Sequence, residues 1–231
     1  MFKSKSERGE HWISISDLMS GLMVIFLFVA ISYMKEVTAD RDKIMEIAIA
    51  YKETQSALYN ALQKEFQDDL RRWRATLDRQ TLSVKFHNPE LLFESGKSAL
   101  KAGFQEILQS FFPRYVRILQ LEQFSKNIAE VRIEGHTSSE WSQTVTGDIA
   151  YFHNMELSQD RTRVVLEYCM RLSEMNNFRE WAKKNITANG LSSSKPVNSA
   201  NGEENKLLSR RVEFRVRTNA DQKIAQILTV G

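Results

Sequence analysis

The chain has 231 residues, 42% of them hydrophobic and 26% charged, with 9 Gly and 3 Pro. That suffices for one folded domain with appended segments, and the composition excludes a disordered chain. A net charge of +3, with 32 basic residues mixed among 29 acidic ones, excludes an electrostatic case for nucleic acid. A single cysteine, Cys169, excludes an internal disulfide framework and a multi-cysteine metal site. It leaves simple burial, or pairing with a twin in a dimer.

The first predicted element is a membrane span. From Ile13 to Met34 the only charged residue is Asp17. A helix of that length measures about 33 Å, enough for a hydrocarbon core of about 30 Å. Trp12 and Tyr33 bracket it as interfacial aromatics, and Lys3, Lys5 and Arg8 precede it. These cations predict that residues 1–12 are a cytoplasmic tail and that the chain beyond the span lies outside the cytoplasm. The stretch "VTA" at residues 37–39 loosely fits a signal-cleavage site. Against cleavage, the apolar run is longer than a signal core, an acid interrupts it, and Lys35 and Glu36 stand just before the site. Residues 13–34 are therefore expected to remain as a single transmembrane helix.

Asp17 is the anomaly in that helix. A charged Asp at the centre of a span costs on the order of 2.5–3.5 kcal/mol, and less near the edge. Capping or snorkelling would be the plain explanation, but the neighbours point elsewhere. Ser16 precedes Asp17, and Ser20 and Gly21 follow three and four positions on, making a small, partly polar face beside it. Small residues let another helix approach closely. A carboxyl group held between helices can bind and release a proton, and each charge crossing about 100 mV makes roughly 2.3 kcal/mol available. Asp17 is thus the expected ion carrier, for a proton or alternatively sodium, with Ser16, Ser20 and Gly21 supporting the path.

Residues 35–81 read as a periplasmic helical linker. From 36 to about 80 there is no Gly or Pro, and Ile44, Tyr51, Leu58, Leu62, Phe66, Leu70, Trp73 and Leu77 form an apolar stripe. The stripe predicts pairing with a second copy or folding onto the domain downstream.

Residues 82–231 form the predicted folded domain. "LSVKF" alternates like a strand; "LLFESGKSALKAGFQEILQSFF" starts a helix that Pro113 should interrupt. "AEVRIEGHTS" is a second strand, and "MELSQDRTRVVLEYCMRLSEM" has helical spacing. "ITANGL" and "RRVEFRVR" supply two more strands, and "SSSKPVNSANGEEN" a polar loop. The order β-α-β-α-β-β predicts an α+β domain with helices on one sheet.

"FESGKSAL", "IEGHTS", "NMELSQDR" and "SRRVEFRV" resemble, in order, the signatures of the OmpA-like peptidoglycan-binding domain over roughly residues 82–218. "WISISDLMSGLMVIFLF" resembles the spanning helix of MotB-type stator subunits, whose single Asp carries the ion. With its short length, the whole is most similar to the stator-like subunits of Zorya anti-phage defence systems. The resemblance implies a peptidoglycan site at Asn154, Leu157, Arg161, His136 and Thr137. The planar fork of Arg161 suits a carboxylate, and Asn154 and Leu157 are expected at a helix start, where free N–H groups favour an anion. Ser138 replaces the usual Asp of the GHTD turn, and the segment 138–154 is longer than the family pattern. Glu140 or Asp148 could supply the missing charge, though a solvated loop is the plainer reading for both.

His136 shows no ligand spacing with His11, His87 or His153, which argues against a metal and for a ring hydrogen bond into its own turn. Of the pair Arg210 and Arg211, one is expected to make a structural ion pair, with Glu134 as the candidate partner. No nucleophile–base motif or phosphate loop appears, so neither an enzyme nor a cofactor is implied. The resemblance implies a homodimer inside a pentameric multi-helix membrane subunit of the MotA/ZorA-like kind. A passive peptidoglycan tether and a flagellar stator subunit are the alternatives.

Overall fold

Between Glu10 and Asn88 the only glycine or proline is Gly21, and this stretch forms most of one long helix, α1 (Ser6–Arg72). The computed structural model describes residues 6–87, 89–94, 96–142 and 144–219; Lys3 and Lys5 lie outside them. The chain divides into a unit ending at Ile49 and a second beginning at Ala50. In the first, α1 is apolar and uncovered: Trp12, Leu18, Met23, Phe26, Phe28 and Tyr33 are all exposed. Among the described residues this is the one helix long and apolar enough to cross a membrane.

In the second unit, the last turns of α1 bury Leu58, Leu62, Phe66 and Leu70, spaced by four, together with Trp73 beyond the helix. This half of the stripe folds onto the domain. The Phe66 ring lies 5.2 Å from Phe111, and Arg114 bonds Glu65 and Asp69, each at 2.7 Å. The expected helix to about residue 80 is corrected: α1 ends at Arg72, Arg74 turns the chain with φ +51°, and β1 (Ala75–Asp78) follows. The Asp78 Oδ1 accepts the backbone N–H of Gln80 and Thr81, closing a hairpin to β2 (Ser83–His87). Ladder pairing, Ala75 to Phe86 through Asp78 to Ser83, overrides the helical propensity of this segment. A domain boundary at residue 82 therefore falls too late.

After the short helix α2 (Pro89–Leu92) and a bridge between Phe93 and Leu100 comes α3 (Ala102–Leu119). Pro113 sits inside α3 and does not interrupt it, contrary to expectation. An interior proline costs roughly 3 kcal/mol. The helix offsets that by burying Phe104, Leu108, Phe111, Phe112, Tyr115 and Leu119, at about 1.5–3 kcal/mol for a large side chain. The rest runs α4 (Glu122–Ser125), β3 (Ile128–His136), α5 (Gly147–Arg171), a 3-10 turn (Ser173–Phe178), α6 (Arg179–Asn185), β4 (Ile186–Gly190), α7 (Lys206–Ser209) and β5 (Arg211–Thr218).

The sheet order is β1-β2-β5-β3-β4, with β3 and β4 parallel and the other pairs antiparallel. The α+β class holds, with one strand, β1, more than the sequence order implied. Alternation does the sorting. Val212, Phe214 and Val216 enter the core with Phe86, Val131 and Ile133, while Arg211, Glu213 and Arg215 take the other face. Two glycines let α5 lie directly on the sheet. A Cβ at Gly135 would stand 2.7 Å from the Thr162 Cγ2, and one at Gly190 only 2.3 Å from the Gln159 backbone nitrogen.

Candidate functional site

That close approach fixes the height of α5 above the end of β3, where a cleft of about 230 Å³ opens. Thr137 and Ser138, just beyond β3, line it, as do Asn154, Leu157 and Arg161 from α5. The half-buried Arg161 donates from Nε to the Lys97 carbonyl at 3.0 Å, and its guanidinium lies 4.8 Å from the Phe93 ring centroid. Among the described residues neither of its terminal nitrogens has a protein hydrogen-bond partner. Burial and the neighbouring Arg210 hold its pKa down, at about 10. The Thr137 hydroxyl is buried with no partner, while its backbone N–H donates to the Ser192 carbonyl at 2.9 Å. A guanidinium fork in a cleft smaller than the roughly 300–1,000 Å³ that encloses a drug-sized ligand suits the end of an extended anionic ligand.

Two expectations about this cleft are corrected. Asn154 is not at a helix start: α5 begins at Gly147 after the cap residue Thr146, so amides near Asn154 lie inside the helix. The anion-at-the-N-terminus argument lapses there. The residues "GDIAYFH" that precede Asn154 form the first turns of the helix, with acidic Asp148 in its first turn. Asn154 instead pins the preceding loop, donating from Nδ2 to the Glu140 carbonyl at 3.3 Å.

His136 does not line the cleft. It is buried, and neither ring nitrogen makes a hydrogen bond, so the expected bond into its turn is not formed. Its Nε2 lies 3.6 Å from Glu213 and 3.8 Å from Glu134. Arg211 makes the structural ion pair, with its Nε 2.5 Å from Glu213 two positions along its own strand, while Glu134 meets Arg215 at 3.9 Å. Glu134, His136 and Glu213 offer metal-capable atoms within 4.8 Å of one another. Histidine spacing could not reveal that group, because strand register assembles it. The Arg211 guanidinium already supplies a cation on Glu213, so we read the group as an ion-pair network. Cys169 is fully buried, and burial pushes its thiol pKa up, which removes it from pairing with a twin.

Glu140 reaches the cleft wall and pairs with Lys206 at 2.9 Å; that lysine holds its carboxyl below the usual range. Asp148 is exposed in α5 and does not line the cleft. Phe93, Glu94 and Trp141 also line it and escaped the sequence reading, although Phe93 opens "FESGKSAL"; Arg210, expected only as one of a structural arginine pair, lines it too. In the N-terminal unit, Ser16, Asp17, Ser20 and Gly21 are exposed on α1. A Cβ at Gly21 would meet nothing within 4 Å, so its smallness answers no need among the described residues.

The OmpA family pattern matches residues 92–210, which contain the whole cleft. The Zorya protein ZorB of Escherichia coli strain Crooks is 46% identical over 224 residues, covering 97% of this chain and 94% of that protein. A second Zorya protein ZorB, from Escherichia coli O139:H28, is 26% identical over 224 residues, 93% of this chain and 83% of that one. Among solved structures, a MotB-like protein from Desulfovibrio vulgaris shares the fold, with a TM-score of 0.51 and 22% identity over 75% of this chain and 94% of that one. The chain belongs to the OmpA family, in the branch that the Zorya ZorB proteins represent.

Proposed function

We propose that the chain is the ion-carrying, stator-type subunit of an inner-membrane motor that serves anti-phage defence, and that its folded domain grips peptidoglycan. One observation carries the reading: likeness to a Zorya ZorB runs along 97% of the chain, so it takes in both the acid-bearing helix and the Arg161 cleft. In this reading two copies sit within a pentameric MotA/ZorA-like partner, whose helices cover the exposed face of Asp17. Asp17 takes a proton, or alternatively sodium, from the periplasmic side and releases it inward past Ser16, Ser20 and Gly21. Arg161 holds a carboxylate of the peptide stem over Leu157 and Thr137. Glu140 offers the negative charge that Ser138 cannot, in exchange for Lys206. A motor delivers torque only if one part is fixed, which is why one chain needs both sites.

The test uses full-length protein co-expressed with the neighbouring membrane subunit. Asp17→Asn is expected to abolish phage protection while assembly and co-sedimentation with sacculi stay normal; Arg161→Ala is expected to abolish both protection and co-sedimentation. Protection that survives Asp17→Asn would reduce the protein to a passive tether. A swimming defect on deletion, with phage sensitivity unchanged, would make it a flagellar stator.

A further inference from the structure

Trp141 stands on the rim of the cleft, 38% exposed, with one face stacked on His153 at 5.1 Å and an interplanar angle of 22°. The two residues before it are tied down. Ser139 donates its backbone N–H to the Glu204 carboxylate at 3.2 Å and its hydroxyl at 2.5 Å, Glu140 pairs with Lys206, and Asn154 holds the Glu140 carbonyl. The other two tryptophans of this unit are Trp73, buried in the core, and Trp181, half-buried against it. Trp141 is thus an ordered indole, backed by a second ring, kept at the mouth of a polar cleft.

We propose that Trp141 is a sugar-stacking platform that reads the glycan beside the peptide stem, an inference that rests on the cell-wall reading above. The cleft, of about 230 Å³, is small for such a ligand. It falls below the roughly 300–1,000 Å³ that encloses a drug-sized molecule, so the stem tip enters and the attached sugar stays at the rim. A pyranose presents a flat C–H face to an aromatic ring and turns its hydroxyls outward to polar groups. The Glu140 carboxylate stands along that wall. A platform ordered before binding loses little entropy when the ligand arrives.

The test compares a disaccharide–tetrapeptide muropeptide with the same tetrapeptide free of sugar, titrated by calorimetry into the full-length protein in detergent. The wild type is expected to prefer the muropeptide. Trp141→Ala should weaken it about tenfold and the free peptide less than about twofold, as loss of one stacking face implies. Trp141→Phe should restore most of the difference, and the Trp141→Ala loss should persist at high salt because the sugar is neutral. Equal losses for both ligands would make Trp141 a wall of the peptide site and overturn the proposal, as would no loss for either. A wild type that binds the free peptide and the muropeptide equally also overturns it. If the wild type binds neither, the cell-wall reading itself fails and this inference falls with it.

Discussion

The Nε2 of His136 stands 3.6 Å from Glu213, diagonally across the β3–β5 pair, although register places His136 opposite Arg211 and Glu213 opposite Glu134. Two buried carboxylates facing each other repel. Arg211, at 2.5 Å from Glu213, is the permanent cation that makes the arrangement tolerable. Its fork also donates to the carbonyls of Ser209 and Lys195, so the polar loop after β4 is fastened here. Removing one partner of a buried pair costs about 3–5 kcal/mol because the other is stranded. Arg211→Met should therefore lower the unfolding free energy by about that amount in urea titrations. A loss below about 1 kcal/mol would mean that the network is already screened by water.

Gly190 has a sharper steric role than its place in a short edge strand suggests. A side chain there runs into the backbone of α5 at Gln159, which cannot rotate away. Gly190→Ala should lift α5 from β4 and cost about 1–3 kcal/mol as an overpacking change, and weaken ligand binding through displaced Arg161. Gly202→Ala, in a loop where a Cβ meets nothing within 4 Å but φ is +85°, is the control: strained, yet without effect on the cleft. Comparable binding losses in both variants would sink the claim that close packing positions Arg161.

What the sequence made legible follows the range of each signal. Alternation in "RRVEFRVR" and "AEVRIEGH" marked β5 and β3, and the four family signatures located Arg161, Asn154, Leu157 and Thr137 around one cleft. Local propensity failed where long-range pairing decided: residues 75–78 look helical alone and become β1 only because β2 is there to pair with. Pro113 looked like a break because an unpaired carbonyl is visible in sequence and a buried aromatic face is not. The Glu134, His136 and Glu213 grouping and the Trp141 rim depend on cross-strand register and on the loop after β3, neither of which spacing encodes.

Acid should weaken the domain through Asp78. Burial alone would raise its pKa, but the Lys85 hydrogen bond at 2.7 Å and the Thr81 backbone N–H outweigh it and hold the carboxyl at about 2, below its ordinary 3.8. A carboxylate with a depressed folded pKa stabilises fully above its unfolded value, and that stability drains as pH falls through the folded one. Glu213 and Glu130 are shifted in the same direction. Urea midpoints should therefore fall between about pH 5 and pH 2, and Asp78→Asn should flatten the slope while lowering stability at neutral pH. Identical slopes in the two proteins would rule out the β1–β2 turn as a contributor.

Arg161 should separate binding from stability. Its folded pKa, about 10, lies below the ordinary 12.5 because the site is buried and Arg210 adds repulsion. For a base the sign is reversed from Asp78: the fold disfavours the charged form, so Arg161 costs stability at neutral pH, and that cost is relieved only as pH rises through about 10. Arg161→Leu removes the charge and keeps apolar contact with Phe93, at the loss of the Lys97 bond. Its melting temperature should match or exceed the wild type. Peptide-stem binding should drop by at least about thirtyfold, the low end for truncating a buried charge contact. Arg161→Lys should recover only part, since an ammonium cannot grip a carboxylate with two parallel bonds. A variant that lost stability and binding together would instead make Arg161 a packing residue, and the cleft would need another anion-binding group.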